Sequence, residues 1–202
     1  MPRPRKQPEP EALEKALRVF WTKGYDRTSI NDLSESLGVG PSSIYNAFNS
    51  KAELFRRSLT HYGDTHLAFV HQLMDETETE DVRDALRELF HGLVRLYTEA
   101  STPKGCAIFQ GGGAGGPAAT DDAEISRFFR GEVYRNLLTL LDRAPDPARF
   151  AAPSSVLAKF LYATLRGVSQ MAVDGASRRE LLAIADHAVA SCFVDPTLTR
   201  CK

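Results

Sequence analysis

The sequence predicts an all-α chain: a small amino-terminal module of three helices, then a larger helical part, with about nine helices in total. Three observations lead there. Apolar residues recur at steps of three and four along most of the chain, the period of an amphipathic helix. No apolar or alternating run is long enough for a convincing strand. Helix start and stop signals follow one another closely through the first fifty-odd residues. With 202 residues, 43% of them hydrophobic and 25% charged, the composition is that of an ordinary globular protein, which excludes wholesale disorder and a disulfide-stapled miniature.

The first helix runs from Pro10 with Leu13, Ala16, Leu17, Phe20 and Trp21 on one face, and Gly24 ends it. The second opens at Thr28 or Ser29, either of which can cap through its hydroxyl, and buries Ile30, Leu33 and Leu37 before Gly38. Pro41 suits a first helical position, where its missing N–H would be unpaired anyway, and opens a third helix of about two turns. Ser50 and Glu53 have capping-box spacing, so a fourth helix starts near Lys51 and is expected to continue through Phe55, Leu59, Tyr62, His66, Phe69 and Leu73. At a rise of about 1.5 Å per residue, about 25 residues would make a rigid connector of roughly 37 Å.

A fifth helix reads from Asp81 to about Glu99, with Val82, Leu86, Leu89, Phe90, Leu93 and Tyr97 inward. Thr102 to Ala119 contains Pro103, Pro117 and the glycine-dense run Gly111 to Gly116, and reads as a flexible connection with one short apolar piece at Cys106 to Phe109. Asp121 and Glu124 open a helix carrying Phe128, Tyr134, Leu138 and Leu141, which Pro145 and Pro147 close. Ser154 or Ser155 caps the next, with Val156, Phe160, Ala163, Gly167 and Met171, up to Gly175. Ser177 and Glu180 form another capping box, and a last helix buries Leu181, Ile184, Ala185, Ala188, Val189 and Cys192 before Asp195-Pro196. The domain organisation expected is a disordered basic arm over 1–8, a helix-turn-helix domain over 9–55 and a helical domain over 56–202.

Two short helices separated by Gly38-Val39-Gly40 have the layout of a helix-turn-helix, in which the second helix enters the major groove of DNA. On a wheel of that second helix Pro41, Ile44 and Phe48 share the inward side, and Ser42, Ser43, Tyr45, Asn46 and Asn49 face outward. Small polar side chains let the backbone approach the groove, and an asparagine can pair with an adenine edge through two hydrogen bonds. Charge follows the same division. The net charge is -1, yet residues 1–60 hold ten Lys and Arg against seven acids, while the remainder holds 15 against 19. A basic end suits phosphate and an acidic remainder suits another task.

The stretch from Phe20 to Phe55, FWTKGYDRTSINDLSESLGVGPSSIYNAFNSKAELF, resembles the DNA-binding domain of the TetR family of transcriptional repressors. The features that carry the resemblance are Gly24-Tyr25, Thr28-Ser29 opening the second helix, Gly38 in the turn, Tyr45 and Phe48 in the recognition helix, and Ser50-Lys51. Gly40 departs from the commoner serine or threonine. The resemblance implies that Thr28, Tyr45 and Lys51 touch phosphates, Lys51 with its charge free at a helix start, while Ser42, Ser43 and Asn46 face base edges; Ser29 belongs to the same DNA-binding set. Arg3, Arg5 and Lys6 resemble the arms that reach into the minor groove.

Beyond Leu59 the resemblance rests on the layout, the step Lys104-Gly105-Cys106 and the joint Asp174-Gly175-Ala176-Ser177. It implies that the last two helices pair with their copies in a homodimer, through Val156, Phe160, Ala163, Gly167, Met171, Leu181, Ala185, Ala188, Val189 and Cys192. Ala172 is another small residue there, and ordinary intrachain core is the competing reading. It also implies a pocket for a small-molecule inducer, which His66, Phe69, Phe90, Tyr97, Phe109, Phe128, Phe129, Tyr134 and Phe160 could line. The expected function is release of a palindromic double-stranded DNA operator when the inducer favours a conformation that binds DNA less well.

The residues speak against other functions. Gly111-x-Gly113-x-x-Gly116 satisfies a dinucleotide fingerprint in letters, but that motif needs a strand, a helix and a further parallel strand, so a nucleotide-binding enzyme is rejected. His61, His66 and His71 stand five apart, which turns each about 140° from the last, so no metal site is expected and no cofactor. Cys106, Cys192 and Cys201 are expected as free thiols. A charged, proline-rich start and the absence of a long apolar run lead to the expectation of a cytoplasmic protein with no membrane partner. A DNA-bound regulator that answers to no ligand, and an activator, remain open alternatives.

Overall fold

The computed structural model describes residues 9–76, 82–112 and 121–194. Among these there are ten α-helices and no strand, against about nine expected: α1 Glu9–Lys23, α2 Ile30–Leu37, α3 Pro41–Phe48, α4 Lys51–Thr65, α5 Ala68–Glu76, α6 Val82–Tyr97, α7 Ala107–Gln110, α8 Asp121–Asp142, α9 Ser154–Val173 and α10 Arg178–Ser191. They belong to two compact units. One takes residues up to 68 together with 100–130, and the other takes 69–99 with 131 onward. A boundary at 55 was expected; instead α4 and the segment 100–112 belong with the amino-terminal helices.

In the first unit α1 buries Ala12, Leu13, Ala16, Leu17, Phe20 and Trp21, the stripe its spacing predicts. Against it lie α4, with Leu54, Phe55, Leu59 and Tyr62, and α2, with Leu33 and Leu37; Ile30 is only partly covered. Ser29, not Thr28, caps α2, in a reciprocal box with Asp32. Gly38 closes α2 at φ 67°, a left-handed conformation that side chains with a Cβ resist, and its N–H donates back to the carbonyls of Glu35 and Ser34. Ser50 caps α4 by accepting from the Glu53 amide, but the Glu53 carboxylate turns to Arg56 at 2.8 Å, so the predicted box is half made.

The long connector is broken. After Thr65, the amides of His66 and Leu67 both donate to the Tyr62 carbonyl, at 2.9 and 3.1 Å, and a new helix begins at Ala68. Gly63 weakens this last turn, and the Thr65 hydroxyl donates to the His61 carbonyl. His61 and His66, expected to point apart, both lie against one oxygen of Glu14 on α1, at 3.3 and 3.0 Å. Burial pushes the Glu14 carboxyl up, but the bond and charge of His66 and of Arg18 outweigh it, leaving Glu14 below the ordinary carboxylate value.

The segment 100–112 is not wholly a flexible connection. Arg18 donates to the Ser101 carbonyl at 2.8 Å, and the Tyr25 amide donates to the Gly111 carbonyl at 2.8 Å. A Cβ on Gly111 would stand 2.6 Å from the Ala107 carbonyl oxygen, so the close turn requires glycine. The run before it, Ala107 to Gln110, is one helical turn rather than the strand a dinucleotide site requires. Residues 113–116 lie outside the described residues.

The second unit packs α6 against α9 and α10. Val82, Leu86, Leu89, Phe90, Leu93 and Tyr97 are buried as predicted, facing Leu157, Ala158, Leu161, Leu165, Val168 and Ala172 of α9 and Leu181, Ala185, Ala188, Val189 and Cys192 at the α10 end. The cap expected from Ser154 or Ser155 is absent at α9, which opens after Pro153 with no side-chain cap, so both serines are already helical. The Ser177–Glu180 box is formed. On α8 the buried apolar residues are Leu137, Leu140 and Leu141, and the polar Asp122 and Ser126 are buried too, while Tyr134 and Leu138 are half-buried and Phe128 is exposed. Asp121 is already helical at the start of α8, with Glu124 in the same first turn. Phe150 pairs with Phe193 in a single antiparallel bridge, with bonds from Ala151 to the Cys192 carbonyl and from Val194 to the Arg149 carbonyl.

Candidate nucleic-acid interface

The recognition helix α3 is eight residues long, too short to persist alone in water, and it opens on Gly40 with no side-chain cap. Ile44 and Phe48, 1% and 6% exposed, fasten it to the core. Pro41 does not share that face; it is exposed. Ser42, Ser43, Tyr45, Asn46 and Asn49 are all exposed, as the wheel predicts. They form one uncharged face of hydroxyls, amides and a phenol. A shallow groove bordered by Asn31, Ser34, Glu35, Val39, Pro41 and Ser43 runs beside the turn, with a volume of about 420 Å³.

Two of the residues assigned to phosphates are turned inward. Thr28 is 1% exposed, and its hydroxyl donates to the Gly24 carbonyl at 2.7 Å. Lys51 was expected to hold a free charge; its ammonium donates to the carbonyls of Tyr25 and Thr28, at 3.0 and 2.9 Å, and lies 4.0 Å from the centre of the Tyr25 ring. Tyr25 was not singled out as a partner, and the only signal of it in the sequence is that an aromatic follows Gly24. Ser29 is exposed, but its hydroxyl is engaged with Asp32. The Asp32 carboxyl is held well below its ordinary value by the bond from Lys23, at 2.6 Å, and by the Ser29 amide and hydroxyl. The arm residues Arg3, Arg5 and Lys6 lie outside the described residues.

The expected pocket residues are distributed over both units. His66, Phe109, Phe128 and Phe129 belong to the first unit, and Phe69, Phe90, Tyr97, Tyr134 and Phe160 to the second. Phe90 and Tyr97 are fully buried core, whereas Phe128 and Phe160 are 59% and 43% exposed. The expected dimer residues divide as cleanly. Val156, Phe160, Ala163, Gly167 and Met171 make an exposed stripe along α9, while Leu181, Ala185, Ala188, Val189 and Cys192 are buried within their own unit and cannot face a partner as they stand. Cys106 and Cys192 are free, buried thiols, and Cys201 lies outside the described residues. Among the described residues no helix is long and apolar enough to cross a membrane, and no group of His, Cys, Asp and Glu is placed to hold a metal ion.

An eight-residue helix fixed by two buried side chains, with its polar face bare beside a glycine turn, is the reading element of a helix-turn-helix regulator. Residues 12–57 match the family described as bacterial regulatory proteins, tetR family. Over 176 residues the chain is 31% identical to the HTH-type transcriptional repressor ComR of Escherichia coli K12, covering 86% of this chain and 83% of that protein. It is 28% identical over 183 residues to the repressor BdcR of the same organism, covering 91% and 88%. Among solved structures it is similar to a cysteine mutant of the TetR family regulator CifR complexed with 26-base-pair operator DNA, at a TM-score of 0.84 and 31% identity, covering 94% of this chain and 99% of that one. The chain belongs to the TetR family of DNA-binding transcriptional regulators.

Proposed function

We propose that this TetR-family protein is a ligand-responsive transcriptional repressor that binds a palindromic operator as a homodimer and is released by a small-molecule inducer. The observation that carries the proposal is the exposed polar face of α3; in this reading Ser42, Ser43 and Asn46 meet base edges and Tyr45 meets the backbone. Two relatives are named repressors, and CifR has been solved on operator DNA, which supports both the partner and the sign of regulation. One such helix offers too few base contacts for useful specificity, so a two-fold pair is needed to read half-sites about one helical turn apart. The bare stripe Val156, Phe160, Ala163, Gly167 and Met171 supplies the apolar, small-residue surface such a pair would bury. Arg3, Arg5 and Lys6 add charge for the minor groove. The inducer binds in the helical part that follows the DNA-reading helices, and the whole regulator works in the cytoplasm.

The test is selection of duplexes from a random pool by the purified protein, repeated with Asn46→Ala. An enriched palindrome that the variant no longer prefers is the expected result. Failure to enrich any sequence would remove the operator-binding proposal.

A further inference from the structure

The chain from Thr28 to Lys51 carries α2, the turn and α3, and its ends meet. Lys51, the first residue of α4, reaches back 23 residues to the Thr28 carbonyl and 26 to the Tyr25 carbonyl, at 2.9 and 3.0 Å. Its charge also rests on the Tyr25 ring, 4.0 Å from the centroid, and that ring is in turn packed 5.1 Å from Phe55 on α4 and 6.0 Å from Phe20 on α1. We propose that Lys51 is a positioning residue for operator reading: a non-covalent clasp that closes the helix-turn-helix into a loop, rather than a surface cation that holds a phosphate. The inference rests on the operator-binding proposal above.

Four features of the site agree. Two of the three ammonium protons are already committed, to carbonyls that lie outside the helices, and the Tyr25 carbonyl also accepts the Thr28 amide. Charge-assisted bonds of this kind are stronger than neutral ones, and a cation over an aromatic face adds to them. Thr28, the other residue at this corner, turns its hydroxyl inward to Gly24, so the corner is built as a joint. Finally, α3 has no side-chain cap at Gly40, so its placement depends on Ile44, Phe48 and on whatever holds the ends of the segment. Pinning those ends reduces the freedom that the segment would otherwise keep. The Tyr25 amide, bonded to the Gly111 carbonyl, holds the same turn from its other side.

Lys51→Met and Lys51→Arg of the full chain decide it, each checked for helical circular dichroism. Binding is titrated at several salt concentrations on the selected operator and on an unrelated duplex. Lys51→Met is expected to weaken operator binding about tenfold or more, as loss of a charged hydrogen bond would, with little change on unrelated DNA and an unchanged salt slope. Lys51→Arg, which keeps the charge and the donors, is expected to recover most of the affinity. A slope reduced by about 0.9 per subunit, with equal loss on both duplexes, would mean a phosphate contact and overturn the proposal; so would wild-type binding by Lys51→Met, or lost operator affinity in folded Lys51→Arg. Hydrogen exchange over residues 25–37 needs no operator. Faster exchange in Lys51→Met is expected, and unchanged exchange overturns the clasp even if the wild-type protein selects no DNA, an outcome that counts separately against the repressor proposal.

Discussion

Fold and reading can be separated on α3 by two neighbouring substitutions. Ile44 is 1% exposed, and Ile44→Ala removes buried methyl and methylene groups from a helix that only two side chains anchor. Large-to-small changes of this type cost about 2 to 5 kcal/mol, against a total of roughly 5 to 15 kcal/mol for a typical domain. For a chain of this size that is a fall in Tm of roughly 4 to 20 °C. Asn46 is exposed, so Asn46→Ala should alter stability by less than about 0.5 kcal/mol, yet it removes an amide able to make a two-bond base contact worth about 1 to 3 kcal/mol per half-site. Urea unfolding followed by circular dichroism and operator titration on the same preparations check both. The reasoning is refuted if Ile44→Ala keeps the wild-type midpoint, or if Asn46→Ala loses stability and affinity together.

Three further outcomes are expected. Glu14 has a depressed carboxyl, so its contribution to stability is complete above the ordinary carboxylate value of about 4.3 and is lost as the pH falls from there through its folded value; Glu14→Gln should therefore flatten the acid side of the stability profile, and an unchanged profile would show that the histidine bracket contributes nothing. The Cys192 thiol, pushed up to about 11 by burial, should resist alkylation at pH 8 in the folded protein and react once urea unfolds it, as peptide mass spectrometry reads; rapid labelling of the native protein would contradict its burial. Phe160→Glu puts a charge on the exposed α9 stripe, and sedimentation should show monomers with wild-type helix content and weak operator binding; a dimer of undiminished strength would place the interface elsewhere.

Much of the fold was legible because its signals are local. The stripes of α1 and α6, the Ser177–Glu180 box and the glycine stop after Leu37 all depend on residues within a few positions of one another. The outward face of α3 was legible for the same reason, because a wheel of eight residues with two large apolar side chains has one possible inside. The break after Thr65 was not, since the apolar period continues through His66, Phe69 and Leu73, whereas in the fold His66 turns to Glu14, 52 residues away, and the amides of His66 and Leu67 share the Tyr62 carbonyl. On α10 the sequence could not say whether Leu181, Ala185 and Ala188 meet α6 or another subunit, because the same apolar period serves either partner.

The sequence by itself determined the all-helical class, the helix-turn-helix and the side chains that α3 leaves exposed, since helix period, caps and turn glycines act over a few residues and survive any packing. Only the tertiary structure decided which polar groups are free to act. Lys51 and Thr28 carry the right chemistry for a phosphate, yet carbonyls at Tyr25, Thr28 and Gly24 take up their donors, because a buried polar group must find a partner wherever the fold brings one within reach.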